Sequence, residues 1–162
     1  MRIQKIISGG QTGADRAGLD WAIKNGIPHG GYCPKGRRSE DGPIDAKYQL
    51  QETASKEYPP RTELNVKNSD GTVIFSKTLS LGRGSALTSK LADRHGKPCL
   101  VLLFGEVEPE GERLYIFVEQ YDIKVLNVAG SRESTSPGIH NFVEKVLDEA
   151  FKYDKQQQSS SA

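Results

Sequence analysis

A three-layer α/β domain, built on a largely parallel sheet of five strands or slightly more, is the fold class this sequence predicts. Short apolar runs alternate along the chain with stretches of helical length, the order that lays helices over a parallel sheet. Two of those runs, Val73-Ile74-Phe75 and Cys99-Leu100-Val101-Leu102-Leu103-Phe104, are continuously apolar, as in strands covered on both faces. Two strands also end in glycine turns that open directly onto helices, the usual place for a ligand in such a fold.

The elements follow in order. Residues 4–8 form the first strand, which runs into Gly9-Gly10-Gln11-Thr12-Gly13 and then a helix over 14–25, stopped by Asn25-Gly26. A short strand over 28–33 comes next. Residues 34–70 are a long insertion rich in glycine, proline and charge, with a short helix expected around 47–57; an insertion of that length is functional or a subunit contact. The third strand, 72–76, leads into Leu81-Gly82-Arg83-Gly84 and a helix over 85–95 that stops at His95-Gly96. A strand over 98–104, a helix over 111–121 and a strand over 123–129 follow. The last helix, 137–153, carries Phe142, Val146, Ala150 and Tyr153 on one stripe, widened by Val143 and Leu147. Residues 1–153 are expected to be one domain, and 154–162, without an apolar anchor, a disordered tail.

Bulk properties narrow the function. The 162 residues suffice for one domain, and a net charge of +1 argues against a nucleic-acid binder that works by neutralising phosphates. No apolar run approaches the ~20 residues that span a bilayer, and the first strand starts too early for a targeting segment. A soluble cytoplasmic protein is expected. Cys33 and Cys99 make neither a disulfide framework nor a CxxC metal site, and His29, His95 and His140 lack zinc spacing. Neither a Ser-His-Asp or Cys-His arrangement nor a carboxylate pair of glycosidase type is visible, so a binding site is advertised more clearly than a catalyst.

That site is an oxyanion or phosphate cradle. Glycines let backbone amides approach an anion, and a helix N-terminus adds unpaired amides and a positive dipole end. Gly9, Gly10, Gln11, Thr12 and Gly13 form the first turn, with neither the lysine of a Walker A loop nor a full GxGxxG pattern. Gly82, Arg83 and Gly84 form the second, with Ser85 and Thr88 adding hydroxyls. If the strands, counted along the chain, lie in the order 2-1-3-4-5, the two turns are neighbours. Lys35, Gly36 and Arg37 at the end of the second strand, and Arg132 after the fifth, would bring cations to the same edge, arginine as a bidentate fork. Asp15 sits in the first turn of its helix, where a carboxylate also suits the dipole. Cys33, beside Lys35 and Arg37, reads first as core. Valine at Gly13 is expected to abolish anion binding and leave most of the fold intact.

Several segments together resemble one family: Ser8-Gly9-Gly10-Gln11-Thr12-Gly13-Ala14-Asp15, Gly31-Tyr32-Cys33-Pro34-Lys35-Gly36-Arg37, Glu40-Asp41-Gly42, Arg61-Thr62 with Asn65-Val66, Ser69-Asp70-Gly71-Thr72, Gly84-Ser85-Ala86-Leu87-Thr88, and Asn127-Val128-Ala129-Gly130 with Arg132-Glu133-Ser134. This string is similar to the molybdenum cofactor carrier proteins, a Rossmann-like family of the SLOG superfamily of nucleotide-related ligand binders. The resemblance implies a homo-oligomer, dimer or tetramer, that binds molybdenum cofactor or molybdate, protects it and passes it to a molybdoenzyme. By motif position, Gly10, Gln11, Thr12, Gly13, Lys35, Arg37, Gly84, Ser85, Thr88 and Arg132 inherit the binding site. The chain departs from the pattern at Arg83, where a glycine is expected, and at Ser131, where a proline is expected. The alternative within the superfamily is a protein for a nucleotide derivative, as a sensor or as an N-glycosidic hydrolase. The hydrolases of Lonely Guy type use a PGGxGTxxE pattern, and its glutamate is missing from Leu81–Lys90.

Overall fold

The computed structural model describes residues 1, 3–105 and 109–161. In chain order the elements are β1 (Lys5–Ile7), α1 (Ala14–Lys24), β2 (His29–Gly30), β3 (Tyr32–Cys33), β4 (Gln51–Glu52), α2 (Tyr58–Lys67), β5 (Gly71–Ser76), α3 (Arg83–Arg94), β6 (Cys99–Leu103), α4 (Glu110–Gln120), β7 (Val125–Gly130) and α5 (Ile139–Ser160). The main sheet is five-stranded and wholly parallel, as the apolar runs require. Its order is β2-β1-β7-β5-β6.

This order corrects the expected 2-1-3-4-5, which in strand labels would read β2-β1-β5-β6-β7. The last strand instead enters the middle of the sheet. Ile6 pairs with Leu126 and Val73 with Val128, so β7 lies between the strands that carry the two glycine turns. The burial of β7 explains the choice: Leu126, Asn127 and Val128 are all but inaccessible, whereas β6 at the edge keeps only Leu102 fully buried.

Helices cover both faces. Val73, Phe75, Leu126 and Val128 point into one core with Trp21 of α1, Leu114 and Val118 of α4, and Phe142, Val143 and Val146 of α5. Trp21 packs on Phe151 with the rings tilted and their centres 4.5 Å apart, and its indole N–H donates to Asp148 at 2.9 Å, which fastens α1 to α5. On the opposite face α2 and α3 pack together around Val66, Leu91 and Ala92. No described helix is long and apolar enough to cross a membrane.

The insertion has structure of its own. Ile44, Tyr48 and Leu50 close over Leu19 and Cys33 in a small separate core. The short helix expected around 47–57 is not there: Gln51 N–H and Thr53 N–H bond to Gly31 O and Cys33 O, which lays the chain down as β4 beside β3. The helix comes ten residues later, as α2, with proline in its first turn, where a missing N–H leaves nothing unsatisfied. The strand expected over 28–33 divides at Gly31 into β2 and β3, which belong to different sheets. At the far end α5 continues through 154–160, the stretch expected as a disordered tail. There Asp154 is buried and receives the amino group of Met1 and the side-chain amide of Gln158.

Candidate functional site

The carboxyl ends of β1 and β7, with the glycine turn that enters α3, open into a cavity of about 690 Å³, within the range of small-molecule sites. Both glycine turns reach it although their strands are not neighbours. Gly9, Gln11 and Asp15 line one side, Gly82, Arg83, Gly84, Ser85 and Thr88 the other, with Gly130, Ser131 and Arg132 between them. The first turn of α2 forms a further wall through Tyr58 and Arg61.

The two turns differ in what their amides do. At α1 the turn is filled from within. Gly10 N–H donates to Ser8 Oγ at 3.2 Å, Gln11 N–H to Asp15 Oδ2 at 3.4 Å, Thr12 N–H to Gln11 Oε1 at 3.1 Å and Ala14 N–H to Ser131 O at 3.1 Å. Asp15 thus acts as the resident anion at this helix end, and the guanidinium of Arg61 meets it at 3.1 Å. Both side chains are about nine-tenths buried. Burial pushes the Asp15 carboxyl above its usual range, against the opposing pull of Arg61 and the Gln11 amide.

At α3 the end is open. No described side chain caps it, and the amides of Arg83, Gly84 and Ser85 donate to no described group; the first helical bond is Ala86 N–H to Gly82 O. A Cβ on Gly82 or Gly84 would meet nothing within 4 Å. Of the two sequence-predicted cradles, the second therefore presents unpaired amides to the cavity, with the positive end of the α3 dipole behind them.

Cations gather at the same place. Arg61, Arg83 and Arg132 line the cavity. Arg38, Arg61 and Arg132 also lie 4.9, 5.2 and 5.1 Å from the centre of the Tyr58 ring, three guanidinium groups around one phenol. Two deeply placed donors, Gln11 Nε2 and Arg61 Nε, have no partner among the described residues, and both belong to residues of the lining. Each calls for an acceptor oxygen. Thr88 Oγ1 donates to Gly84 O at 2.8 Å, so its hydroxyl braces the helix end.

Lys35, Gly36 and Arg37 lie outside the cavity lining. Arg37 turns back on its own loop, donating to Ile44 O, Asp45 O and Tyr48 O at 2.7–2.8 Å, while the amides of Lys35 and Gly36 go to Ser55 O and the Glu52 carboxylate. Thr12 and Gly13 lie outside the cavity lining, beside Gln11 and Arg132 of it, and Thr12 Oγ1 donates to Glu40. Tyr58 escapes sequence reading because Tyr58-Pro59-Pro60 resembles a break more than a helix start. Burial pushes up both thiols, Cys99 to about 11, which sets Cys33 in the core with an unactivated sulfur. Among the described residues no group of three or more His, Cys, Asp or Glu side chains is placed to hold a metal ion.

Comparison with known proteins agrees with this fold. A family model described as the circularly permutated YpsA SLOG family matches residues 6–151. A solved structure from Syntrophus aciditrophicus SB, called "Putative molybdenum carrier protein", is 46% identical with a TM-score of 0.87, covering 91% of this chain and 94% of that one. No curated protein matches the chain.

Proposed function

Since the chain belongs to the circularly permutated YpsA SLOG family, we propose that it is a binding protein whose cavity holds molybdenum cofactor, to shield it and hand it on. One observation carries this reading: an uncapped helix end, α3, opens into a cavity lined by three arginines and holding two unpartnered buried donors. A phosphate or oxo group suits the amides of Arg83, Gly84 and Ser85, with Arg83 and Arg132 to balance its charge. Gln11 Nε2 and Arg61 Nε suit carbonyl or ring acceptors of the pterin. The cofactor brings its own dithiolene sulfurs for the metal, so the residues present fit it without a protein metal centre. The similar structure's name points the same way. The proposal extends to a cytoplasmic homo-oligomer, dimer or tetramer, with a molybdoenzyme as recipient.

A nucleotide derivative is the second reading. Asp15 favours it: a buried carboxyl in the cavity, engaged through Oδ2 by Arg61 and Gln11, is suited to a ribose hydroxyl or to proton transfer. A thermal-shift panel of molybdenum cofactor, molybdate, tungstate, AMP, NAD and ADP-ribose separates the two. A ligand at 100 times its dissociation constant adds about 2.7 kcal/mol of stability. Stabilisation by nucleotides alone would overturn the carrier reading, and release of adenine and ribose phosphate from AMP would establish a hydrolase.

One substitution tests which helix end takes the anion. Gly84→Asp removes a helical glycine and sets a carboxylate in the first turn of α3, where space is open. Stability is expected to rise by about 1 kcal/mol, while binding of any anionic ligand is lost because the new carboxylate occupies its place. Denaturant titration and calorimetry on one sample read both effects. Retained binding would put the anion elsewhere.

A further inference from the structure

We propose that Glu40 is a built-in substitute for a ligand oxyanion: its carboxylate fills a small anion site made by Thr12, Ser134 and Arg132, bars free inorganic anions from it, and yields to an anionic group on a molecule already seated in the cavity. This rests on the anion-binding reading above and adds a selection rule to it.

The contacts join Glu40 to two other parts of the chain. Glu40 Oε1 accepts from Thr12 Oγ1, in the first glycine turn, and Oε2 accepts from Ser134 Oγ at 2.6 Å, in the loop after β7. The guanidinium of Arg132 stands 3.9 Å from Oε2. Two hydroxyl donors and a cation converging on one carboxylate make the donor set that a phosphate would ask for. The site touches the cavity wall directly, because Arg132 lines the cavity and Gln11 Oε1 accepts from the Glu40 amide at 3.0 Å. Burial raises the Glu40 carboxyl, but the bonds from Ser134 and Thr12 and the charge of Arg132 outweigh it and hold it ionised below the usual range.

Its neighbours show how Glu40 can leave. The next residue, Asp41, is fixed by a two-pronged pair with Arg16 at 2.6 and 3.1 Å, and Arg16 also donates to Gly10 O. The loop is therefore anchored to the first glycine turn while Glu40, with a side chain 20% exposed, has an exit to solvent by rotation of its own bonds. A carboxylate tethered in this way competes at an effective concentration of about millimolar or more. Free phosphate or molybdate at lower concentration loses that competition. An anion on a larger molecule, held at the α3 end, competes from its own tether and wins.

Calorimetric titration with inorganic phosphate, and separately with molybdate, tests the idea on wild type, Glu40→Ala, Glu40→Gln and the double variant Glu40→Ala/Ser134→Ala. Affinity for phosphate is expected to rise at least tenfold in Glu40→Ala, and adding Ser134→Ala should remove most of that gain. A gain that survives in the double variant would be a mere loss of negative charge and overturns the site, as does the absence of a gain in both folded single variants. Glu40→Gln keeps the side-chain length should the alanine variant fold poorly. Wild type is titrated in parallel with AMP and with molybdenum cofactor: if it binds neither, the cavity reading has failed, whereas binding there without a gain in the variants sinks the Glu40 proposal alone.

Discussion

Replacing Arg61 with alanine is expected to destabilise the protein by about 3–5 kcal/mol at neutral pH, the effect of leaving a buried carboxylate without its partner. Arg61 and Asp15 are each about nine-tenths buried and meet at 3.1 Å, and the Gln11 amide at 3.4 Å is a poor substitute for a guanidinium. The pH dependence has a definite sign. The Asp15 carboxyl already titrates above 3.8 in the folded chain because of burial, so its contribution favours folding below that value and is lost as pH rises through the folded pKa. Without Arg61 the folded value rises further and the loss is larger. Urea midpoints of wild type and Arg61→Ala should therefore converge as pH falls from neutral to mildly acid. Adding Asp15→Asn should recover most of the stability at neutral pH, since a neutral amide still accepts from Gln11. A single variant as stable as wild type would mean that the pair does not hold the α1 turn together.

Valine at Gly13 is the second large effect. The residue has φ 80°, and a Cβ there would lie 2.4 Å from Ser131 O and 2.6 Å from Glu133 N. These are backbone atoms of the loop after β7, which has no room to retreat while Ser131 O accepts from Ala14 N–H. Backbone strain and overpacking together are expected to destabilise the fold by more than about 3 kcal/mol. Sequence reasoning places Gly13 in an open cradle and so expects lost binding with the fold kept. The structure reverses that expectation, because the space beside Gly13 holds protein rather than ligand. Thermal unfolding of Gly13→Val decides it, an unchanged midpoint contradicting the packing described.

Strand identity was legible from the sequence, and strand order was not. Continuous apolar runs such as Val73-Ile74-Phe75 mark strands covered on both faces whatever their neighbours. Helical crossovers, however, reach an adjacent strand or skip one with similar ease, and nothing local to Leu126-Asn127-Val128 announces the centre of the sheet. Helix α2 was missed because two prolines suggest a break, although proline is well placed in a first turn. The site divides in the same way. Glycine turns are visible as turns, and residues of both line the cavity. Which of them is filled depends on Asp15 meeting Arg61, 46 residues away, a contact that no spacing rule supplies. Arg37 shows the converse: a cation in a glycine-rich loop looks ready for a ligand, yet three carbonyls of its own loop take it.

The open end of α3, rather than the filled turn at α1, is expected to receive the anionic group of the ligand. A crystal structure grown with AMP or with molybdenum cofactor tests it most directly. A phosphate or oxo group is expected within hydrogen-bonding distance of the Arg83, Gly84 and Ser85 amides, with Asp15 still paired to Arg61. An anion bound in the Gly9–Gly13 turn, with Asp15 displaced, would contradict it.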